Sequence, residues 1–138
     1  METARILEWA TIIGASLVLT YIAIISTFAV YYIDVSPDPS APTIKVVGKQ
    51  WAWEFVYSNG TRSGELVVNR GEIVNLELVS EDVVHSFYVR VLGLKLDAVP
   101  GTVNKIWLSV DEPGVYDIQC AEYCGLNHYI MRANLRVI

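Results

Sequence analysis

The sequence predicts an all-β domain, a sandwich or a barrel, attached to one N-terminal transmembrane α-helix. Three observations support this fold class. An uncharged apolar run lies near the N-terminus, a proline-rich segment follows it, and short alternating apolar and polar stretches separated by turn residues make up the remainder. We therefore expect a helical membrane anchor over residues 1–33, a linker over 34–42 and one β-domain over 43–138.

The bulk composition excludes one class of partner. The chain has 138 residues, of which 53% are hydrophobic, and its net charge is −5. This length accommodates a single domain together with an anchor. Because the acidic balance provides no positive field for a phosphate backbone, we do not expect nucleic acid to bind.

The anchor is predicted from the span between Trp9 and Ile33, which contains no charged side chain. Its roughly 25 residues would form a helix of about 37 Å, enough to cross a hydrocarbon core of about 30 Å with some tilt. Trp9 at one end and Tyr31 and Tyr32 at the other resemble aromatic belts at membrane surfaces. The alternative, a cleaved signal peptide, would have a much shorter apolar region.

The charges that flank this span predict its orientation. Arg5 precedes it, whereas Asp34 and Asp38 follow it. Positive charge favours the cytoplasmic side, so we expect a cytoplasmic N-terminus and a β-domain on the outer, periplasmic face. Prolines between residues 37 and 42 cannot continue the helix and favour an extended linker.

The strands of the β-domain are predicted from period-two patterns rich in β-branched and aromatic residues. Trp51 and Trp53 alternate within one such pattern, so we expect both on one face of a strand. No helix is expected beyond the anchor. The predicted strands cover residues 44–47, 50–57, 65–69, 73–79, 86–91, 105–110, 115–119 and 132–137.

The most informative stretch lies between the last two predicted strands. Cys120, Cys124, His128 and Met131 fall within twelve residues, and a second histidine, His85, lies upstream. Thiolate, imidazole and thioether are the soft and borderline donors that copper prefers. Gly125 allows the chain to fold back directly after the second cysteine.

Several sites could be built from these donors. One tetrahedral zinc ion would use both cysteines and both histidines and leave Met131 idle. A mononuclear blue-copper site would leave one cysteine unused. Two copper ions that share both thiolates would use every donor, with Met131 on one ion and a main-chain carbonyl, near Glu122, on the other. A small disulfide between the two cysteines is a further alternative.

Three blocks of sequence, in order along the chain, resemble the copper A subunit, subunit II, of cytochrome c oxidase. They are residues 48–55 (GKQWAWEF), residues 80–101, which include SEDVVHSF and LGLKLDAVPG, and residues 120–131 (CAEYCGLNHYIM). Together they span most of the chain after the apolar segment. The resemblance implies that the β-domain is a cupredoxin-like Greek-key sandwich that holds two copper ions, with ligands at His85, Cys120, Cys124, His128, Met131 and the main-chain oxygen of Glu122.

The resemblance also implies a function. The chain would be the electron-accepting subunit of a haem–copper oxidase, a short form with one membrane helix in a bacterial or archaeal plasma membrane. It would take electrons from cytochrome c, or another small redox protein, and pass them to haem in subunit I, where oxygen is reduced to water. No catalytic residue is expected in this chain. The alternative is a membrane-tethered copper electron carrier or copper-delivery protein outside any oxidase.

The remaining roles concern single residues. The resemblance implies that Trp51 is the exposed aromatic at which the donor's electron arrives, and that the Glu122 side chain reaches a magnesium or manganese ion at the boundary with subunit I. Ser86 is expected to form a hydrogen bond in a loop, not to act as a nucleophile. The acidic residues expected to dock a basic donor are Glu81, Asp82 and Asp97, with Asp111 and Glu112 as further candidates.

Overall fold

The computed structural model describes residues 2–138 and divides into two compact units between Val35 and Ser36. The first unit is one helix, α1, from Glu2 to Asp34. Its most apolar 18 residues have a mean hydropathy of 2.1, and none of the helix's residues is buried within the chain. Its 33 residues correspond to about 50 Å of helix, which is long enough to cross a membrane. A single apolar N-terminal helix was predicted from the sequence.

The second unit is a sandwich of two five-stranded sheets. One sheet has the order β3-β2-β1-β5-β8 and the other β4-β10-β9-β6-β7. Short 3-10 helices cover Arg90–Leu92 and His128–Ile130. The strands are β1 Thr43–Lys49, β2 Ala52–Val56, β3 Arg62–Ser63, β4 Glu65–Val68, β5 Val74–Ser80, β6 His85–Val89, β7 Leu94–Ala98, β8 Asn104–Leu108, β9 Gly114–Cys120 and β10 Arg132–Val137.

The strand pairings carry the chain repeatedly between the two sheets. β1 is antiparallel to β2 but parallel to β5, and β10 is antiparallel to β9 but parallel to β4. These pairings bring the ends of β1, β5 and β9 and the starts of β6 and β10 to one end of the sandwich. Three connections meet there: the turn after β1, the loop after β5 and the loop after β9.

The core lies between the sheets and explains the alternating pattern of the strands. Phe55 and Phe87 are fully buried and meet edge to face across the two sheets, with ring centroids 6.4 Å apart. Leu76, Ile118 and Leu135 are also 0% exposed. Apolar burial of this kind is the main stabilising contribution to a sandwich and holds the loop-bearing end in place.

The hairpin formed by β1 and β2 corrects the predicted strand 50–57. β2 begins only at Ala52, and Gln50 and Trp51 form the turn between the strands. Trp53 points into the core and is 3% exposed. The two tryptophans therefore do not lie on one face of a strand. The alternating pattern continued without a break through the turn, so it concealed where the strand begins.

Other boundaries differ because short strands carry little pattern. The predicted strand 132–137 is confirmed as Arg132–Val137, but 86–91 becomes His85–Val89 and then a 3-10 turn. β7, Leu94–Ala98, was not predicted, although it pairs with β6 along five residues. Gly93, with φ 64°, provides the left-handed residue that allows the chain to turn into β7.

Candidate metal centre

The predicted donors lie at the end of the sandwich where the three connections meet. His85 is the first residue of β6 and is 0% exposed, and Cys120 is the last residue of β9. Residues 121–131 form the loop between β9 and β10. The main-chain nitrogen of Cys120 donates to the carbonyl of Met131 at 3.1 Å, which closes this loop and brings its two ends together.

His85 is fixed on several sides. Its Nε2 lies 2.7 Å from Oδ1 of Asp82, and its ring meets the Trp53 ring at a centroid distance of 5.9 Å. Gly48 leaves the space in which the ring lies, since a Cβ there would be 3.0 Å from His85 Cδ2. With Nε2 facing the carboxylate, Nδ1 is the nitrogen that points to the thiol of Cys120, 3.9 Å from its Sγ.

The carboxyl of Asp82 is held ionised by its contacts. Burial opposes its charge, but hydrogen bonds from the His85 ring and the main-chain N–H of Gln50 outweigh burial, so the pKa of Asp82 is lowered. A carboxylate accepts the hydrogen of Nε2, which leaves a lone pair on Nδ1. Such carboxylate–histidine pairs orient metal-binding imidazoles. The sequence indicated only a docking role for Asp82, because its contact with His85 depends on the fold of the loop after β5.

The two sulfurs form the middle of the cluster. Their Sγ atoms are 3.8 Å apart, and each thiol has an imidazole beside it: His85 beside Cys120 and His128 beside Cys124, at 3.5 Å from the second sulfur. Met131, 1% exposed, places its sulfur 3.8 Å from Cys124 Sγ. The structure therefore brings all five predicted side-chain donors together.

The sixth predicted donor is the main-chain oxygen of Glu122. It lies 3.3 Å from Cys120 Sγ, whereas the Met131 sulfur lies beside Cys124 Sγ. The Glu122 side chain is exposed, so its carboxylate points away from the sulfurs. The carbonyl therefore faces the sulfur cluster, whereas the side chain is exposed.

These separations fit donors that share metal ions. Ligands about 2.0–2.3 Å from one tetrahedral ion lie roughly 3.3–3.8 Å from each other. The observed spacings of 3.5–3.9 Å lie within or just above that range. Among residues 2–138, the compact group with ligand atoms all within 4.8 Å is His85, Cys120 and Cys124, without His128. One ion bound by both cysteines and both histidines therefore fits less well than two ions.

The cysteines are thiols in this structure. Both are free, and their sulfur separation of 3.8 Å far exceeds the roughly 2.05 Å of a disulfide. Burial, and next the adjacent Cys120 thiol, raise the pKa of Cys124 to about 12. A thiol of this kind ionises when a cation binds it, so metal uptake at this site releases protons.

The turn at Gln50 and Trp51 contacts the loop of residues 121–131, which is called the metal loop from here on. The side-chain amide of Gln50 donates to the carbonyl of Cys124 at 2.7 Å, and the indole N–H of Trp51 donates to the same oxygen at 3.2 Å. Trp51 is half-buried rather than fully exposed, which corrects its predicted exposure. Because these contacts join residues more than 70 positions apart, no local sequence signal could reveal them.

The structure also places the other singled-out residues. Ser86 lies inside β6 and is fully buried, and its hydroxyl has no hydrogen-bond partner within the described chain, so the expected loop hydrogen bond is wrong. Its main-chain carbonyl instead accepts from the nitrogen of Ala121. Glu81 is exposed. Asp97 is partly exposed, and its carboxylate lies 3.9 Å from Lys95 Nζ.

Comparison with known proteins gives a consistent result. A family model described as cytochrome C oxidase subunit II, periplasmic domain, matches residues 61–138. A cytochrome c oxidase subunit 2 from Alkalihalophilus pseudofirmus is 41% identical over 137 residues, covering 94% of this chain and 40% of that protein. The chain spans about two fifths of the length of the curated relatives it matches.

Two solved structures share the fold. The periplasmic domain of subunit II of cytochrome oxidase from Bradyrhizobium japonicum is 30% identical, covers 75% of this chain and 88% of its own, and has a TM-score of 0.69. A chain of a haem–copper terminal oxidase dimer, 24% identical, has a TM-score of 0.66 and covers 94% of this chain and 99% of its own. Together they confirm the predicted cupredoxin-like sandwich with one N-terminal helix.

A single methyl group at Gly48 tests whether His85 belongs to the metal centre. In Gly48→Ala the new Cβ would lie 3.0 Å from His85 Cδ2 and 3.1 Å from Trp53 Cζ3, so the imidazole must shift. We expect copper affinity to fall by about tenfold or more, as for other changes beside metal ligands. Gly64→Ala, whose Cβ would meet nothing within 4 Å, is the matched control. Equal copper affinities in both variants would contradict a ligand role for His85.

Proposed function

The chain belongs to the cytochrome c oxidase subunit II family, and from this premise we propose that it forms the binuclear copper A centre that receives electrons for a haem–copper oxidase. The observation that carries the proposal is the pair of thiols 3.8 Å apart, each flanked by its own imidazole. In this proposal oxygen reduction to water takes place in subunit I, and this chain contains no catalytic residue.

Each donor has a role in this proposal. Cys120 and Cys124 would hold both ions through their sulfurs. His85 would provide a nitrogen to one ion and His128 to the other, and Met131 would provide a weak ligand to one of them. The carbonyl of Glu122 would provide the second weak ligand. When bound, the copper pair supplies an acceptor for one electron at a time, with both thiolates spreading the charge.

The surrounding chain keeps this site rigid and dry. His85, Cys124 and Met131 are nearly or fully buried at 0%, 3% and 1% exposure. A buried donor set held by closed loops has little freedom to rearrange when its charge changes. A small rearrangement is what a fast electron relay requires, so the geometry supports electron transfer rather than bond-making chemistry.

Trp51 is proposed as the point at which the donor's electron arrives. Its ring is partly open to solvent, and its indole N–H is hydrogen-bonded to the carbonyl of Cys124. A donor that touches the ring is thereby connected through one hydrogen bond to a residue of the metal loop. A half-buried position serves this role because one edge of the ring meets the donor while another meets the loop.

A basic donor, cytochrome c or another small redox protein, is proposed to dock beside this tryptophan. The acidic residues proposed to attract it are Glu81 and Asp97, with Asp82 contributing charge while it also holds His85. The net charge of −5 is consistent with a basic partner. Such surface charges mainly tune association rates and are screened by salt.

The metal loop itself presents a different surface. Tyr123, Leu126 and Tyr129 are exposed by 75%, 81% and 73%. Several large apolar side chains exposed on one short loop indicate a protein contact. We assign this surface to the haem-containing subunit I, so that electrons leave the metal loop on its apolar side.

The membrane arrangement completes the proposal. Helix α1 is the single membrane span, with residues 1–33 as anchor, 34–42 as linker and 43–138 as the copper domain. The N-terminus lies in the cytoplasm and the copper domain on the periplasmic face of a bacterial or archaeal plasma membrane, because Arg5 precedes the span and acidic residues follow it.

Electron paramagnetic resonance of the oxidised, copper-loaded chain in detergent tests the central proposal. We expect two copper ions per chain and a signal split by two equivalent copper nuclei, because both sulfurs contact both ions. Met131→Leu should retain the two ions with an altered splitting, since it removes only a weak ligand. One copper with ordinary single-nucleus splitting, or a copper-free disulfide, would refute the binuclear centre.

Trp51→Ala should slow oxidation of the electron donor at least several-fold while copper content stays at two per chain. The reason is that the ring, but no metal ligand, is removed. Trp51→Phe keeps an aromatic ring without the N–H and should retain more of the rate. Stopped-flow kinetics with reduced cytochrome c measures both variants. Unchanged donor oxidation kinetics in Trp51→Ala would contradict the role of Trp51 as the point at which the electron arrives.

Glu122→Gln tests the proposed magnesium or manganese ion at the boundary with subunit I. We expect copper content to be unchanged, because the main-chain oxygen is retained, whereas magnesium or manganese in the assembled oxidase should fall. Glu112→Gln, an exposed change between β8 and β9, is the control. Elemental analysis of both purified complexes gives the result, and a normal boundary metal content in Glu122→Gln would refute the role.

A further inference from the structure

The turn between β1 and β2 contacts both halves of the metal centre through one residue. We propose that Gln50 is a positioning residue that holds the His85 side of the site next to the Cys124 side before copper binds. The expected effect of Gln50 on copper binding rests on the proposed function. Its expected effect on the exposure of Cys124 in the copper-free chain does not.

The first contact runs through the main chain. The nitrogen of Gln50 donates to Oδ2 of Asp82 at 2.6 Å, while Oδ1 of the same carboxylate faces Nε2 of His85 at 2.7 Å. One carboxylate therefore connects the turn to the imidazole. Because a charged acceptor strengthens both hydrogen bonds, the turn and His85 are held in fixed relation.

The second contact runs through the side chain. Nε2 of Gln50 donates to the carbonyl of Cys124 at 2.7 Å, the shorter of the two hydrogen bonds to that oxygen. Two donors on one carbonyl fix the peptide plane between Cys124 and Gly125. That plane restricts ψ of Cys124 and so holds the main chain from which its side chain projects.

Gly125 has the shape that this contact requires. Its φ is +116°, and a Cβ there would lie 2.9 Å from Nε2 of Gln50 and 3.3 Å from Nε1 of Trp51. The amide of Gln50 thus occupies the space that a side chain at position 125 would take. The loop and the turn are complementary in shape as well as in hydrogen bonding.

Few other hydrogen bonds within residues 2–138 join the metal loop to the rest of the domain. The loop after β9 is closed on itself at Cys120 and Met131, and Ala121 attaches its start to Ser86. Near Cys124 the bonds to other segments come from the turn. Without the Gln50 side chain, the Cys124 end of the loop should open more often and expose its thiol.

The first test uses the copper-free, reduced full-length chain in detergent. In a Cys120→Ser background, Gln50→Leu should raise the rate at which a thiol reagent labels Cys124 by about fivefold, the effect of losing one partly buried hydrogen bond. Gln119→Leu is the matched control, since its amide contacts Asp117 rather than the metal loop. Equal labelling rates in the two variants would overturn the proposal, whether or not the site binds copper.

The second test uses the copper-loaded chain with both cysteines present. Transfer of copper to a chelator should be about tenfold faster in Gln50→Leu than in Gln119→Leu, and the copper hyperfine pattern should change only in Gln50→Leu. A wild-type chain that binds no copper would refute the proposed function but leave the labelling result standing. Normal copper content with equal release rates would refute the role of Gln50.

A third variant distinguishes the positioning role of Gln50 from a general loss of stability. Gln50→Glu keeps the size of the side chain and the main-chain hydrogen bond but faces the carbonyl of Cys124 with an acceptor. It should match or exceed Gln50→Leu in labelling and in copper release, with a copper-free melting temperature close to that of Gln119→Leu. Slow labelling in Gln50→Glu would overturn the proposal even if Gln50→Leu folds poorly.

Discussion

The hydrogen bond from the main-chain nitrogen of Cys120 to the carbonyl of Met131 is the constraint on which the site depends. It closes an eleven-residue connection between two adjacent strands, so that the main chains of Cys120 and Met131 lie side by side and the sulfur of Met131 reaches Cys124. The pairing of β9 with β6 then sets Cys120 opposite Phe87 and brings His85, two residues earlier, to the same end. Donors from distant parts of the chain thus converge because the sheet aligns them.

The site combines a soft, buried interior with a charged and hydrogen-bonded outer layer. Sulfur and imidazole donors lie among apolar groups such as Trp53 and Phe87. Asp82 and Gln50 stand outside them and fix their directions. This division matters because the donors must tolerate a change of charge, whereas the outer layer must keep its geometry. The donor residues determine which metal is bound, and the outer residues determine how well the site is formed in advance.

The sequence predicted the fold class, the helix and the five side-chain donors, because those depend on residue type and local period. Cys120, Cys124, His128 and Met131 are close in the chain, so their grouping was visible without a structure. The roles of Gln50 and Asp82 were not predictable, since they depend on contacts across the end of the sandwich. β7 was missed because Leu94–Ala98 is short and contains no β-branched residue.

The dependence of the metal loop on a turn more than 70 residues away has a consequence for modularity. Residues 120–131 carry most of the donors and look like a self-contained cassette. Transplanted alone into another sandwich, the cassette would bring its sulfurs but leave behind the amide that fills the space beside Gly125. The transferable unit is three discontinuous segments, the turn at 50–51, the loop at 81–85 and the metal loop, and inheritance or engineering must move them together.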